Sequence, residues 1–184
     1  MPVNFCPQCG QPLHTADVGD RLRPRCIATD CGYVHWDNPV PVVAAIVELK
    51  GTVILARSKS WPEKMYGLIT GFLEKGETPD AAIRREVREE LGLDAVAARF
   101  IGNYAFFEMN QLILAYHVPA RGEIVLGEEL ADFKRVPVDR LKPWTIGTGP
   151  AVRDWLAARR GQSPTMMESH AAVRDGLAHP KPNS

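Results

Sequence analysis

The chain has 184 residues, 45% of them apolar, enough for one medium-sized core with an appendage. Lys plus Arg and Asp plus Glu both number 22, so a zero net charge supplies no bulk attraction for nucleic acid. No run approaches the ~20 apolar residues of a membrane span, and Met1 to Cys9 lacks a basic-then-apolar leader; the expected location is the cytosol, with no membrane partner.

The four cysteines all lie within the first 31 residues. Cys6 and Cys9 are separated by two residues and Cys26 and Cys31 by four. Disulfides are disfavoured in a reducing cytosol, whereas four thiolates satisfy a tetrahedral Zn²⁺ with no open position, a structural rather than catalytic site. A redox dithiol would need only one pair, and the second pair argues against it. His35 is a spare ligand candidate, but with four cysteines available it reads as structural or exposed. Residues 1–36 are thus expected to form a zinc ribbon. Asp37-Asn38-Pro39-Val40-Pro41 follows as a short stiff linker.

From Val42 the pattern becomes that of a core. Val42 to Leu49 is a β-branched apolar run suited to a strand buried on both faces. Lys50-Gly51 turns it into a returning strand from Val53 to Ala56. Pro79 to Leu91 reads as a helix: Thr78 can cap it, Pro79 suits its first position, and Gly92 can end it. Ile83, Val87 and Leu91 make its apolar stripe. Strands are expected at Ala98 to Phe107, Leu112 to Val118 and near Phe133 to Val136. A last amphipathic helix begins near Pro150, with Val152, Trp155 and Leu156 on one face. Residues 161–184 hold three prolines and few large apolar side chains, which predicts a mobile tail with one short helix near Met166 to Arg174.

On the Pro79 helix, Glu86, Glu89 and Glu90 stand at i, i+3 and i+4 and converge on one patch. They read either as a solvated face paired with Arg84, Arg85 and Arg88, or as hard oxygen ligands for Mg²⁺ or Mn²⁺. Such ions suit diphosphate substrates, because they neutralise phosphate oxygens and activate water.

The segment Gly71 to Leu93 resembles the Nudix box at every specified position. Gly71, Glu77, Arg85, Glu86, Val87, Glu89, Glu90, Gly92 and Leu93 stand in register. At average residue usage the chance per starting position is on the order of 10⁻⁹. The resemblance implies an α/β/α sandwich with a mixed β-sheet over 37–160 and a metal-dependent hydrolase of nucleoside-diphosphate-linked compounds. It implies Glu86 and Glu90 as metal ligands, Glu89 as ligand or base, Arg85 and Glu77 as a buried pair pinning the loop to the helix, and Gly71 as the tight turn into it. A further carboxylate is expected from a later loop. Glu129 is the first choice for base or extra ligand and Glu128 the next, among candidates that include Glu108 and Glu123.

A zinc ribbon joined to this domain by an Asn-Pro linker is similar to the NADH-pyrophosphatase-like subgroup. The Ser-Gln-Pro-Trp segment of that subgroup is absent, and Gly102-Asn-Tyr-Ala-Phe-Phe-Glu108 stands instead. This leaves the substrate open among dinucleotides such as NADH or FAD, ADP-ribose, nucleotide sugars, damaged nucleotides and nicotinamide-capped RNA. Tyr104 and Phe106, with Phe107, Trp61 and Tyr66, are candidates for stacking a base, against a reading as strand core. His117 is expected at an edge or in the core. The alternative to catalysis is a nucleotide-sensing or nucleic-acid-binding module without turnover, and members of this kind are often homodimers.

Overall fold

A computed structural model describes residues 3–161. The expected tail and its short helix lie outside the described residues. The chain divides into two compact units, Met1–Val40 and Pro41–Ser184.

In the first unit, β1 (Leu13–Val18) and β2 (Arg21–Cys26) form an antiparallel hairpin, with Val18 opposite Arg21 and Leu13 opposite Cys26. The sequence does not announce this hairpin: neither strand has a β-branched apolar run, and Pro24 stands inside β2.

The second unit is built on a seven-stranded sheet in which β6 (Asp94–Ala95), β8 (Gln111–Arg121), β3 (Val40–Leu49), β4 (Thr52–Ser58) and β9 (Leu130–Pro137) follow one another. β5 (Ile69–Phe72) adds to β3, and β7 (Arg99–Phe106) adds to β8. β3 is buried on both faces, as its continuous apolar run predicts. Val43, Ala45 and Val47 pack against Ile83, Val87 and Leu91 of α1 (Pro79–Leu91) on one side. Ala44 and Ile46 pack on the other side with Val152, Trp155 and Leu156 of α2 (Gly149–Arg159). The two helices therefore cover opposite faces of the sheet.

α1 has the ends its sequence calls for. The Thr78 hydroxyl accepts a hydrogen bond from the Ala81 N–H at 3.3 Å, Pro79 occupies the first turn, and Gly92 closes the helix at φ 66°. β5 was read only as a lead into the box; it is four residues long and includes Gly71, so it lacks the alternation that identifies a strand. It pairs with β3, Gly71 opposite Val43, and sets the box glycine beside Glu86 of α1.

Candidate active site

α1 presents Glu86, Glu89 and Glu90 to a cleft of about 1160 Å³ whose other walls are β5, the 127–129 turn and the 144–148 loop. Glu86 is 9% exposed, the deepest of the three. Its carboxylate lies directly on Gly71, where a Cβ would fall on the Glu86 carboxyl atoms. A residue without a side chain at position 71 is thus what lets Glu86 face the cleft from a packed helix.

Arg85 ties this patch to the loop before the helix. Its Nε and Nη2 donate to the two carboxylate oxygens of Glu77, both at 3.0 Å. Nη1 donates to Glu86 at 2.7 Å and Glu89 at 3.0 Å, and Nη2 also reaches the Phe72 carbonyl. Arg85 and Glu77 are 26% and 17% exposed, so the expected buried pair is only partly covered. Hydrogen bonds from Arg85 hold the Glu77 carboxyl below its ordinary range.

Glu90 has the opposite environment. Burial first, then the charges of Glu86, Glu129 and Glu89, push its carboxyl up to about 8. Burial also raises Glu86, partly offset by Arg85 and reinforced by Glu89 and Glu129. These are the conditions in which a divalent cation would stabilise the ionised cluster, and the donor set of hard carboxylate oxygens fits Mg²⁺ or Mn²⁺.

The structure brings Glu129 within electrostatic range of Glu86 and Glu90, and Glu128 also lines the cleft. The reason is local. The N–H groups of Val125 and Gly127 donate to the Leu91 and Glu90 carbonyls, each at 2.9 Å, so the returning chain is pinned on the last turn of α1. A Cβ at Gly127 would collide with the Glu89 carbonyl oxygen. Sequence reasoning gave Gly127 no role; its proximity to α1 arises from a fold contact across nearly forty positions. Glu108 and Glu123 do not line the cleft.

Phe106 lines the cleft, beside Gly147 of the 144–148 loop, which the sequence reading did not assign to the site. Tyr104 lies on the same strand face but does not line it: its hydroxyl donates to Asp154 of α2 at 3.0 Å. Trp61 and Tyr66 line the cleft; Trp61 packs over Gly67, and the Tyr66 hydroxyl donates to Asp132 at 2.5 Å. His117 is buried and its Nε2 meets Glu48 at 2.8 Å, while Arg159 donates twice to the same carboxylate. It belongs to the packing of α2 and lies away from the acidic patch.

In the first unit, the sulfur atoms of Cys6, Cys9, Cys26 and Cys31 lie within 4.8 Å of one another. Cys6 and Cys31 are 3.6 Å apart and Cys9 and Cys26 3.4 Å. A tetrahedron with Zn–S bonds of ~2.3 Å has sulfur–sulfur edges of about 3.8 Å, so the cluster is close to the size zinc requires.

Comparison with known proteins bears on this geometry directly. A family model described as NUDIX domain matches residues 37–155. The chain belongs to the Nudix family. A Nudix N-terminal zinc-ribbon model matches residues 4–37. Among curated Nudix relatives, the NAD-capped RNA hydrolase NudC of Stutzerimonas stutzeri (strain A1501) is 32% identical over 178 residues, covering 96% of this chain and 59% of the relative. The NAD-capped RNA hydrolase NudC of Vibrio vulnificus (strain CMCP6) is 31% identical over 146 residues, 77% of this chain and 53% of that one. The chain therefore spans less than two thirds of the length of these relatives.

Solved structures share the Nudix fold. A NUDIX hydrolase from Nitrosomonas europaea superposes with a TM-score of 0.71 at 23% identity, covering 88% of this chain and 95% of that one. An ADP-ribose pyrophosphatase from Streptococcus suis 89-1591 gives a TM-score of 0.56 at 19% identity, covering 67% and 93%. Within this Nudix domain, the stretch that replaces Ser-Gln-Pro-Trp runs along β7 and turns at Phe107–Met109, delivering Phe106 to the cleft wall. No helix among the described residues is long and apolar enough to cross a membrane.

Proposed function

We propose that this protein hydrolyses the diphosphate linkage of a nucleoside diphosphate joined to a second moiety, with a nicotinamide dinucleotide, free or as the 5′ cap of an RNA, as the leading substrate. The observation that carries the reading is the convergence of Glu86, Glu89, Glu90 and Glu129 on one end of a cleft large enough for a dinucleotide. The names of the curated relatives support the choice of substrate.

Glu86 and Glu90, with Glu89, would hold Mg²⁺ or Mn²⁺. When bound, the metal supplies charge neutralisation at the phosphates and a water of lowered pKa. Glu129 would take the proton from an attacking water, with Glu89 as the other candidate and Glu128 the neighbouring carboxylate. Arg85 acts as a positioning residue: it fixes the Glu86 and Glu89 carboxylates and joins them to the Gly71–Glu77 loop. Phe106, Trp61 and Tyr66 supply aromatic surface for a base, whereas Tyr104 is tied to Asp154 of α2. The four cysteines would hold Zn²⁺ as a structural ion, separate from turnover.

The test is a substrate panel with zinc-loaded protein and Mg²⁺ or Mn²⁺, products separated by chromatography. NADH, NAD⁺, FAD, ADP-ribose, nucleotide sugars and oxidised nucleoside triphosphates are each offered. Metal-dependent conversion of a dinucleotide into two mononucleotides is the expected result. Binding without product across the panel would replace this reading with that of a sensor.

A further inference from the structure

The zero net charge of the chain conceals a one-sided arrangement on the ribbon hairpin. In the β1–β2 register, Arg21 lies opposite Val18, Arg23 opposite Ala16 and Arg25 opposite His14. Alternate residues of a strand share a face, so the three arginines and His14 form one surface. Cys26, a member of the four-thiolate cluster, alternates onto the other face with Leu22 and Pro24. The arginine face is therefore backed by the part of the unit that the metal would make rigid.

A third segment extends this surface. Arg25 bridges to Val34 and the His35 N–H donates to the Pro24 carbonyl at 2.8 Å, which continues the antiparallel register to place Trp36 beside Arg23. The Arg23 guanidinium stacks 4.7 Å from the Trp36 ring centre and its Nη1 donates to the Trp36 carbonyl at 2.9 Å. Trp36 is nevertheless 53% exposed. This register sets no carboxylate on the face.

A solvated charged face would tolerate lysine, interspersed acids and free rotamers. Here every cation of the row is arginine, the fork suited to phosphate oxygens, and one of them is held over a half-exposed indole. Cations on alternate residues recur every ~6.6 Å along the strand, a row able to follow the phosphates of one nucleic-acid strand. An exposed aromatic ring in such a row suits an unstacked base, which a duplex does not offer.

We propose that the face formed by Arg21, Arg23, Arg25, His14 and Trp36 docks single-stranded RNA, with the arginines on the phosphates and Trp36 stacked on one base. The choice of RNA among polyanions rests on the reading above, in which capped RNA is a substrate; the surface itself stands on register and stacking.

The test uses the full zinc-loaded chain and a fluorescein-labelled, uncapped single-stranded RNA of about ten nucleotides, with binding read by anisotropy at several salt concentrations. The double variant Arg21→Gln/Arg25→Gln should bind at least ~10-fold more weakly near 0.1 M salt, with the log–log salt slope reduced by about 1.4, or ~0.7 per lost phosphate contact. Trp36→Ala should weaken binding about 10-fold while leaving the slope near its wild-type value. Hydrolysis of free dinucleotide and one zinc per chain should persist in both variants. Undiminished RNA binding in the double variant, or binding confined to duplex RNA or to anionic phospholipid vesicles, overturns the proposal. Because the RNA is uncapped, wild-type failure to cleave any dinucleotide would count against the hydrolase reading alone.

Discussion

Two glycines determine what the acidic side chains can do. Gly71 leaves the space that the Glu86 carboxylate fills, and Gly127 lets the returning chain lie on the Glu89 carbonyl. Gly71→Ala should lower kcat at least ~100-fold, because Glu86 must leave its place, a loss of ~3 kcal/mol of transition-state stabilisation. Gly127→Ala should also lower kcat, by displacing Glu129, and steady-state kinetics on the substrate found by the panel checks both. Gly71 was legible as a site residue through its place in the box. Gly127 was not, since nothing near it in sequence reveals that Glu90 accepts its N–H.

Glu90 offers a pH prediction at the same scale. Its carboxyl is raised by burial and by Glu86, Glu129 and Glu89 to about 8. A raised carboxyl gives stability that is complete below the unfolded value, near 4.3, and is lost as pH rises through 8. Metal-free Glu90→Gln, which cannot ionise, should therefore melt higher than the metal-free wild type at pH 8, and the gap should close toward pH 5. Adding Mn²⁺ at pH 8 should raise the wild-type Tm and leave the variant's nearly unchanged. Melting curves at the two pH values, with and without metal, check the sign.

At the scale of elements, α1 was readable to the residue because its period, cap, first-turn proline and terminal glycine all agree. β3 was readable because a strand buried on both faces has a continuous apolar run. β5 and the ribbon hairpin were not: β5 is short and defined by its pairing with β3, and the hairpin lacks a β-branched apolar run and has Pro24 inside its second strand. Tyr104 illustrates the same limit: alternation puts it on the face of Phe106, but only α2, arriving fifty residues later, takes its hydroxyl. The cap of α1 is separable from the chemistry. Thr78→Ala should cost about 1 kcal/mol of stability, read by urea denaturation, with kcat little changed in the folded enzyme.

At the scale of the molecule, the four cysteines and the acidic patch lie in different units of the chain, and their metals should be separable. Removing zinc with a chelator should make four thiols reactive toward a thiol reagent and unfold the ribbon hairpin, because a closed four-thiolate site contributes folding energy directly. The four-cysteine cluster and the acidic patch were legible from residue type and spacing. The sheet order, the cleft and the position of Glu129 were not, since each depends on where distant strands return.

The central claim is that the glutamates at the end of the cleft carry out hydrolysis of a diphosphate. The most direct measurement compares wild type with Glu90→Gln, both folded and zinc-loaded, on the dinucleotide that the panel identifies, with Mn²⁺ present and both product nucleotides quantified. The account predicts two mononucleotides in equal amounts from wild type and at least a ~100-fold lower kcat for the variant. Near wild-type turnover by Glu90→Gln would contradict it.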